Sequence, residues 1–304
     1  MHPQNHLGPR NPWAAPLMTN SIAKVSSLRQ ETVKLWATIN KQAWAAVSEE
    51  IENELAKIRL LENERIANEL WVLATLTSAH LHLIDAWEHN LKDDFYLAWC
   101  ALERAELDLL FVAKNMEWCD TPEMVGDLRE HVSRWQSLYP YGVFMSPEFL
   151  VHERKCNICE AIRSPFKPCE HRKGKVYNGK LCVDIVTQVE IIGSALVTDP
   201  VQKYSVLQPA DETAEAFASR HSVIKYAVSL LQNPYHLKEV RKTTIKWPLS
   251  KFPGLTKTDP CPCESGKAFQ VCCEDSKGVL RPHIWIDVAN ENVNQTPTFQ
   301  YPSL

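Results

Sequence analysis

The chain has 304 residues and a mass of 34.7 kDa, room for two or three domains of roughly 100–200 residues each. It is 45% hydrophobic and 23% charged with a net charge of −4, a composition ordinary for a soluble globular protein. That excludes wholesale disorder and a globally basic nucleic-acid coat. Only nine glycines occur, and no phosphate-cradling glycine loop is among them.

Pro3, Pro9, Pro12 and Pro16 make residues 1–20 a disordered, proline-rich arm, and no apolar core of a signal or transit peptide lies there. The expected compartment is a reducing cytoplasm, where ten cysteines need a role other than stable disulfides. From Ser21 to about Pro140 the pattern becomes helical. Ile22, Val25, Leu28, Leu35, Trp36, Trp44, Val47, Ile51, Leu55 and Ile58 recur at three- and four-residue intervals without proline or glycine, which predicts one long amphipathic helix. Further helices are predicted over Asn63–Trp87, about Asp93–Trp118, and from Thr121–Pro122 to about Leu138. Residues 21–140 therefore read as an α-helical bundle. The longest uncharged run, Leu70–Ile84, has 15 residues, short of the roughly 20 a membrane span needs.

Residues 151–246 read as a small α+β region. One or two strands are expected in 183–198, which is rich in β-branched residues, and a helix over Asp211–Leu231. Residues 247–260, with Pro248, Pro253, Gly254 and Pro260, read as a linker to a module at 261–275. A tail over 276–304 follows, with one edge strand at His283–Val288. The expected class is thus mainly α: an N-terminal α-helical bundle followed by a small α+β region and a C-terminal loop, the last two each holding a cysteine cluster. Charge divides unevenly along it. Residues 48–130 carry 19 acidic against seven basic residues; 151–175 carry seven basic against three acidic, and 238–257 six against one. The two basic segments are candidate surfaces for a polyanion.

Pro260-Cys-Pro-Cys-Glu-Ser-Gly-Lys-Ala-Phe-Gln-Val-Cys-Cys273 is the strongest motif. Its C-x-C-x8-C-C spacing gathers Cys261, Cys263, Cys272 and Cys273 in a short loop, and four such thiolates suit tetrahedral Zn²⁺. Ser265–Gly266 supplies the turn, and Phe269 is placed to pack over the site. This stretch resembles the SEC-C motif, named for the zinc-binding tail of the preprotein translocase motor SecA, whose usual form is Pro-Cys-Pro-Cys-Gly-Ser-Gly-Lys-Lys-Tyr-Lys-x-Cys-Cys or Cys-His. The resemblance implies that the same four cysteines are the ligands; Ser265, Gly266 and Lys267 match as well. The chain departs at Glu264, Ala268, Phe269 and Gln270, which weakens the basic face with which such tails dock and leaves the ligands intact.

A second cluster, Cys156-Asn-Ile-Cys159 with Cys169-Glu-His171, has C-x2-C-x9-C-x-H spacing, an acceptable structural Zn²⁺ set. Cys182 is a fifth candidate, either a substitute for His171 as fourth ligand or a buried thiol at the start of the strand. Segment 156–200 is also similar to a zinc-stapled β element in phage-related head proteins. Both clusters are coordinatively full, as structural zinc sites are, whereas catalytic zinc keeps a position for water.

The helices offer little chemistry. His82, Asp85 and His89 share a helix face that Glu103 and Glu106 could oppose, but the Glu-x-x-His pairs of a di-iron site are missing. Arg129-Glu-His131 has the wrong spacing for a ribonuclease of the HEPN class. Cys100 and Cys119 read as core thiols, and the tryptophans at helical spacing as core. The expected function is a non-enzymatic zinc-binding adaptor holding two zinc ions. A protein partner is expected, with nucleic acid at residues 151–175 and 238–257 and self-association through the long first helix as further expectations. The alternatives are an enzyme whose active site is not legible here, in or beside the bundle, and a component of a phage-related or phage-defence system.

Overall fold

The computed structural model describes residues 14–164 and 166–288, with side chains from Asn20 onward. Five helices come first: α1 (Ala14–Leu35), α2 (Lys41–Leu60), α3 (Glu64–Asn90), α4 (Phe95–Ala113) and α5 (Pro122–Ser137). Each packs on the next, and α3 also touches α1 and α5. The last part of the arm expected over residues 1–20 is instead helical, since α1 begins at Ala14; a proline in the first turn costs no helical hydrogen bond, so Pro16 is tolerated. Residues 1–13 lie outside the described residues.

The long first helix is instead two. Ala37 turns the chain with φ 60°, and Asn40 caps α2 by accepting the Ala43 amide at 3.1 Å. The Trp44 indole N–H closes the break by donating to the Thr38 carbonyl at 3.2 Å. One apolar cluster gathers α1, α2 and the first half of α3 around Leu28, Ile51, Leu55 and Leu70. A larger one joins the rest of α3 to α4 and α5 around Leu83, Phe95, Leu102, Leu128 and Trp135.

The strands form three antiparallel two-stranded ribbons. β1 (Phe144–Cys156) pairs with β4 (Asp184–Val197), β2 (Val176–Tyr177) with β3 (Lys180–Leu181), and β5 (Leu237–Trp247) with β6 (Val279–Val288). β4 matches the strand expected at 183–198. Its partner β1 contains Pro147, which breaks a strand signal yet is tolerated where one edge of the ribbon stays open. β6 extends the expected edge strand back to Val279, so part of the expected tail is paired structure; residues 289–304 lie outside the described residues. The helix expected over 211–231 is split into α6 (Ala214–Arg220) and α7 (Ser222–Leu230). His221 sits at the join, fully buried and stacked on Phe95 at 4.6 Å between centroids. The protein is mainly α, and no described helix is long and apolar enough to cross a membrane.

Candidate metal centres

The C-terminal cysteines lie in the loop that joins β5 to β6. Trp247 and Val279 are the last pair of that ribbon, and the chain, having left it after Trp247, returns through Gly278, where a Cβ would stand 2.5 Å from the Trp247 carbonyl oxygen. Backbone hydrogen bonds then fold the loop on itself: Cys261 N–H to Lys267 O at 2.8 Å, Phe269 N–H to Asp259 O at 2.8 Å, Cys273 N–H to Phe269 O at 3.1 Å. The sulfurs of Cys261, Cys263, Cys272 and Cys273 all come within 4.8 Å of one another. Phe269 is buried against Cys261, Cys273 and Val279, as its place in the motif predicts. Phe252 and Leu255, from the segment expected as a linker, pack onto the same cluster.

These thiols do not titrate alike. The Ser265 hydroxyl holds Cys263 down at about 6, whereas burial pushes Cys261 up to about 12. Four sulfurs this close cannot all ionise against one another unless a cation sits among them, so the donor set fits a metal ion. Glu264 follows Cys263 with φ 62°, and its carboxylate accepts from Arg281 on β6, which also donates to the Pro262 carbonyl. Arg281 is only 8% exposed.

The first cluster stands at the end of the β1–β4 ribbon. Cys156 is the last residue of β1, opposite Asp184, and a tight turn follows in which Glu160 N–H donates to Cys156 O at 2.8 Å. Glu160 takes φ 59° there. One ligand atom each from Cys156, Cys159, Cys169 and His171 lies within 4.8 Å of the others. His171 Nδ1 is buried without a hydrogen-bond partner, as a nitrogen aimed at a metal would be. Cys182 stands beside the group: its sulfur is 3.9 Å from that of Cys156 and 3.0 Å from the Arg163 guanidinium. Burial works against ionisation of Cys156, but the Cys159 amide, Arg163 and the Ile158 amide outweigh it and hold that thiol at about 5.

Arg163 was not singled out by the spacing rules, yet it ties the centre together. It reaches Cys156, Cys182 and the His171 carbonyl, and pairs with Asp184 at 3.1 Å. Two asparagines, also unremarked, hold the β2–β3 hairpin against the helices. Asn68 on α3 accepts the Gly179 amide at 2.8 Å and donates to Val176 O; Asn115 accepts the Val176 amide at 3.0 Å and donates to Gly174 O. Both are fully buried. The one signal for this hairpin is Asn178–Gly179 between two strand-forming pairs, a turn that needs positive φ at both positions and shows 46° and 69°.

The helical histidines and carboxylates considered for a di-iron site do not converge. Asp85 pairs with Lys41 at 2.5 Å, Glu103 accepts the Lys203 amide at 3.0 Å, Glu106 accepts from Gln136 at 2.7 Å, and His82 faces Asp108 at 3.7 Å. Cys100 and Cys119 are only partly buried. Trp44, Trp87, Trp99 and Trp135 are buried core residues, while Trp36, Trp71 and Trp118 pack at its margin. No curated protein and no solved structure matches the chain. The family model described as the SEC-C motif matches residues 258–275, which bracket all four thiols of the C-terminal loop, and the chain therefore carries a SEC-C motif there.

Proposed function

We propose that this chain is a zinc-binding, non-enzymatic adaptor of the bacterial cytoplasm. The five helices act as an acidic bundle that makes one set of contacts, and the two metal-stapled modules present basic surface to an acidic partner, protein or nucleic acid. The observation that carries the reading is the pair of four-ligand clusters. Cys261, Cys263, Cys272 and Cys273 form one set, and Cys156, Cys159, Cys169 and His171 the other, with Cys182 bonded to Arg163 and held in reserve. Thiolate-rich tetrahedral sets suit zinc, and with four protein ligands no position remains for a reacting water. Zinc in such sites supplies folding free energy to a small core. Lys238, Lys242, Lys246 and Lys251, on β5 and just beyond it, are exposed and make no ion pair among the described residues, which supports a docking strip beside the second module.

Elemental mass spectrometry on the wild type, Cys159→Ser and Cys263→Ser tests the reading. Two zinc ions per chain, one lost in each variant, are expected. Iron, or zinc that persists in both variants, overturns it.

A further inference from the structure

The β1–β4 ribbon is exposed on both faces along most of its length, and one of those faces is an uncharged apolar stripe. Register pairs Met145 with Leu196, Phe149 with Ile191 and Val151 with Val189, and side chains paired across an antiparallel ladder share a face. None of these six is covered: Ile191 and Leu196 are 71% exposed and Phe149 is 52% exposed. No charged side chain interrupts the stripe, because Glu148 and Glu190 fall at the alternate positions, opposite Gly193 and Leu150. Toward the metal centre it ends where Arg154 and Lys155 face Val186 and Ile185. An isolated two-stranded ribbon is at best marginally stable in water, so an uncovered apolar face on one this long is unfavourable for the monomer.

We propose that this face stacks on the same face of a second copy of the chain, making a four-stranded β-sandwich across a two-fold axis. An uncharged stripe fits an uncharged stripe and offers nothing to a polyanion. A two-fold axis between copies sets the stripe of one chain on the same stripe of the other, the isologous arrangement of C2 dimers, with the two ribbons stacked as the sheets of a sandwich. The area agrees as well. Six half-exposed apolar side chains leave on the order of 500 Å² per copy, so stacking removes about 1,000 Å² from water, the lower bound of a specific interface. Face-to-face stacking is favoured over edge pairing because the ladder shifts register at three places. The start of β1 is also already covered, with Met145 N–H donating to Ser205 O at 2.9 Å and Leu207 N–H to Val143 O at 3.0 Å. This interface goes beyond the adaptor reading and does not depend on which metal the centres hold.

Sedimentation velocity over a concentration series of the full metal-loaded chain decides the matter. A concentration-dependent dimer is expected. Phe149→Glu/Ile191→Glu should weaken it on the order of 100-fold or more by placing charge in the stack. Glu148→Lys, on the opposite face, should leave it unchanged. Metal content and circular dichroism report whether each variant is folded; should the double Glu variant fail to fold, Val189→Thr/Ile191→Thr keeps strand propensity and should still weaken the dimer about tenfold. A wild type that stays monomeric at about 100 µM overturns the proposal. So does a dimer that tolerates the folded ribbon variants, or one that is dissolved instead by Ile22→Glu on α1.

Discussion

Glu264 stands where the usual form of the SEC-C motif has glycine, and its backbone keeps the glycine conformation, φ 62°. Holding a non-glycine residue there costs roughly 1 kcal/mol or more. The side chain offsets that cost through Arg281, a guanidinium almost removed from water whose other partner is the Pro262 carbonyl. Read along the chain, Glu264 only makes the loop less basic; in the fold it bolts the cysteine loop to β6. The Glu264 carboxylate is itself 37% exposed, so water screens the pair, but removing it leaves the nearly buried Arg281 guanidinium short of one partner, a loss of about 1–3 kcal/mol that matches or exceeds the relieved strain. Glu264→Gly should therefore release its metal to a chromogenic chelator several-fold faster than wild type, and Arg281→Leu added to it should restore much of the difference. Equal rates in wild type and Glu264→Gly would show that the pair does not hold the loop.

The β2–β3 hairpin shows how an element readable in sequence gains its meaning from what it touches. Asn178–Gly179 is a local turn signal, but Gly179 is also pressed against the helices: a Cβ there would lie 2.6 Å from Leu55 Cδ1 and 3.0 Å from the Ala67 carbonyl oxygen. Gly266, in the SEC-C loop, shares the positive φ but has nothing within 4 Å. Gly179→Ala should cost about 2–3 kcal/mol through strain and overpacking together. Gly266→Ala should cost only the backbone part, about 1 kcal/mol. Chemical unfolding of the two variants checks the contrast; equal losses would mean that the hairpin is not packed on α2 and α3 as described. The α1–α2 break escapes a periodicity argument for a related reason. No glycine or proline marks it, and only the Asn40 cap and β-branched Thr38–Ile39 hint at it, while the Trp44–Thr38 hydrogen bond that secures it is visible only in the folded chain.

That break brings Trp36 and Trp44 around His80, and the resulting centre contributes to how the protein answers acid. His80 is fully buried, stacked on Trp44 at 4.5 Å between centroids and met edge-on by Trp36 at 4.0 Å, with Nδ1 2.6 Å from the Tyr235 hydroxyl. Burial lowers it from 6.5 to about 3, with His131 nearby adding to the shift. Burial likewise lowers His221 to about 4. Both are neutral in the fold and bind protons near pH 6.5 once unfolded, so the unfolded chain takes up more protons between about pH 6.5 and 4. Stability is therefore fully present above pH 6.5 and falls as pH is lowered, by up to about 1.4 kcal/mol per pH unit per histidine. Urea unfolding between pH 5 and 7.5 should show this slope, and His80→Phe should make it shallower while acid loss of metal remains common to both proteins. An unchanged slope would remove His80 as a source of acid sensitivity.

The cysteine sets, the helical N-terminal half and the strand at 184–197 were legible from residue order, because each rests on local chemistry. Candidate ligands a few residues apart fall in one loop, and a sustained 3.6-residue period signals helix, though not where one helix ends and the next begins. The SEC-C motif is the extreme case, complete within residues 258–275. What spacing could not supply were the contacts between segments far apart in the chain. These are β1 as the partner of β4, β5 as the partner of β6, Asn68 and Asn115 clasping the hairpin, and Arg163 gathering Cys156, Cys182 and Asp184. Each such contact satisfies a buried polar group or closes a ladder across tens of residues, and periodicity holds no information about which distant partner will do so.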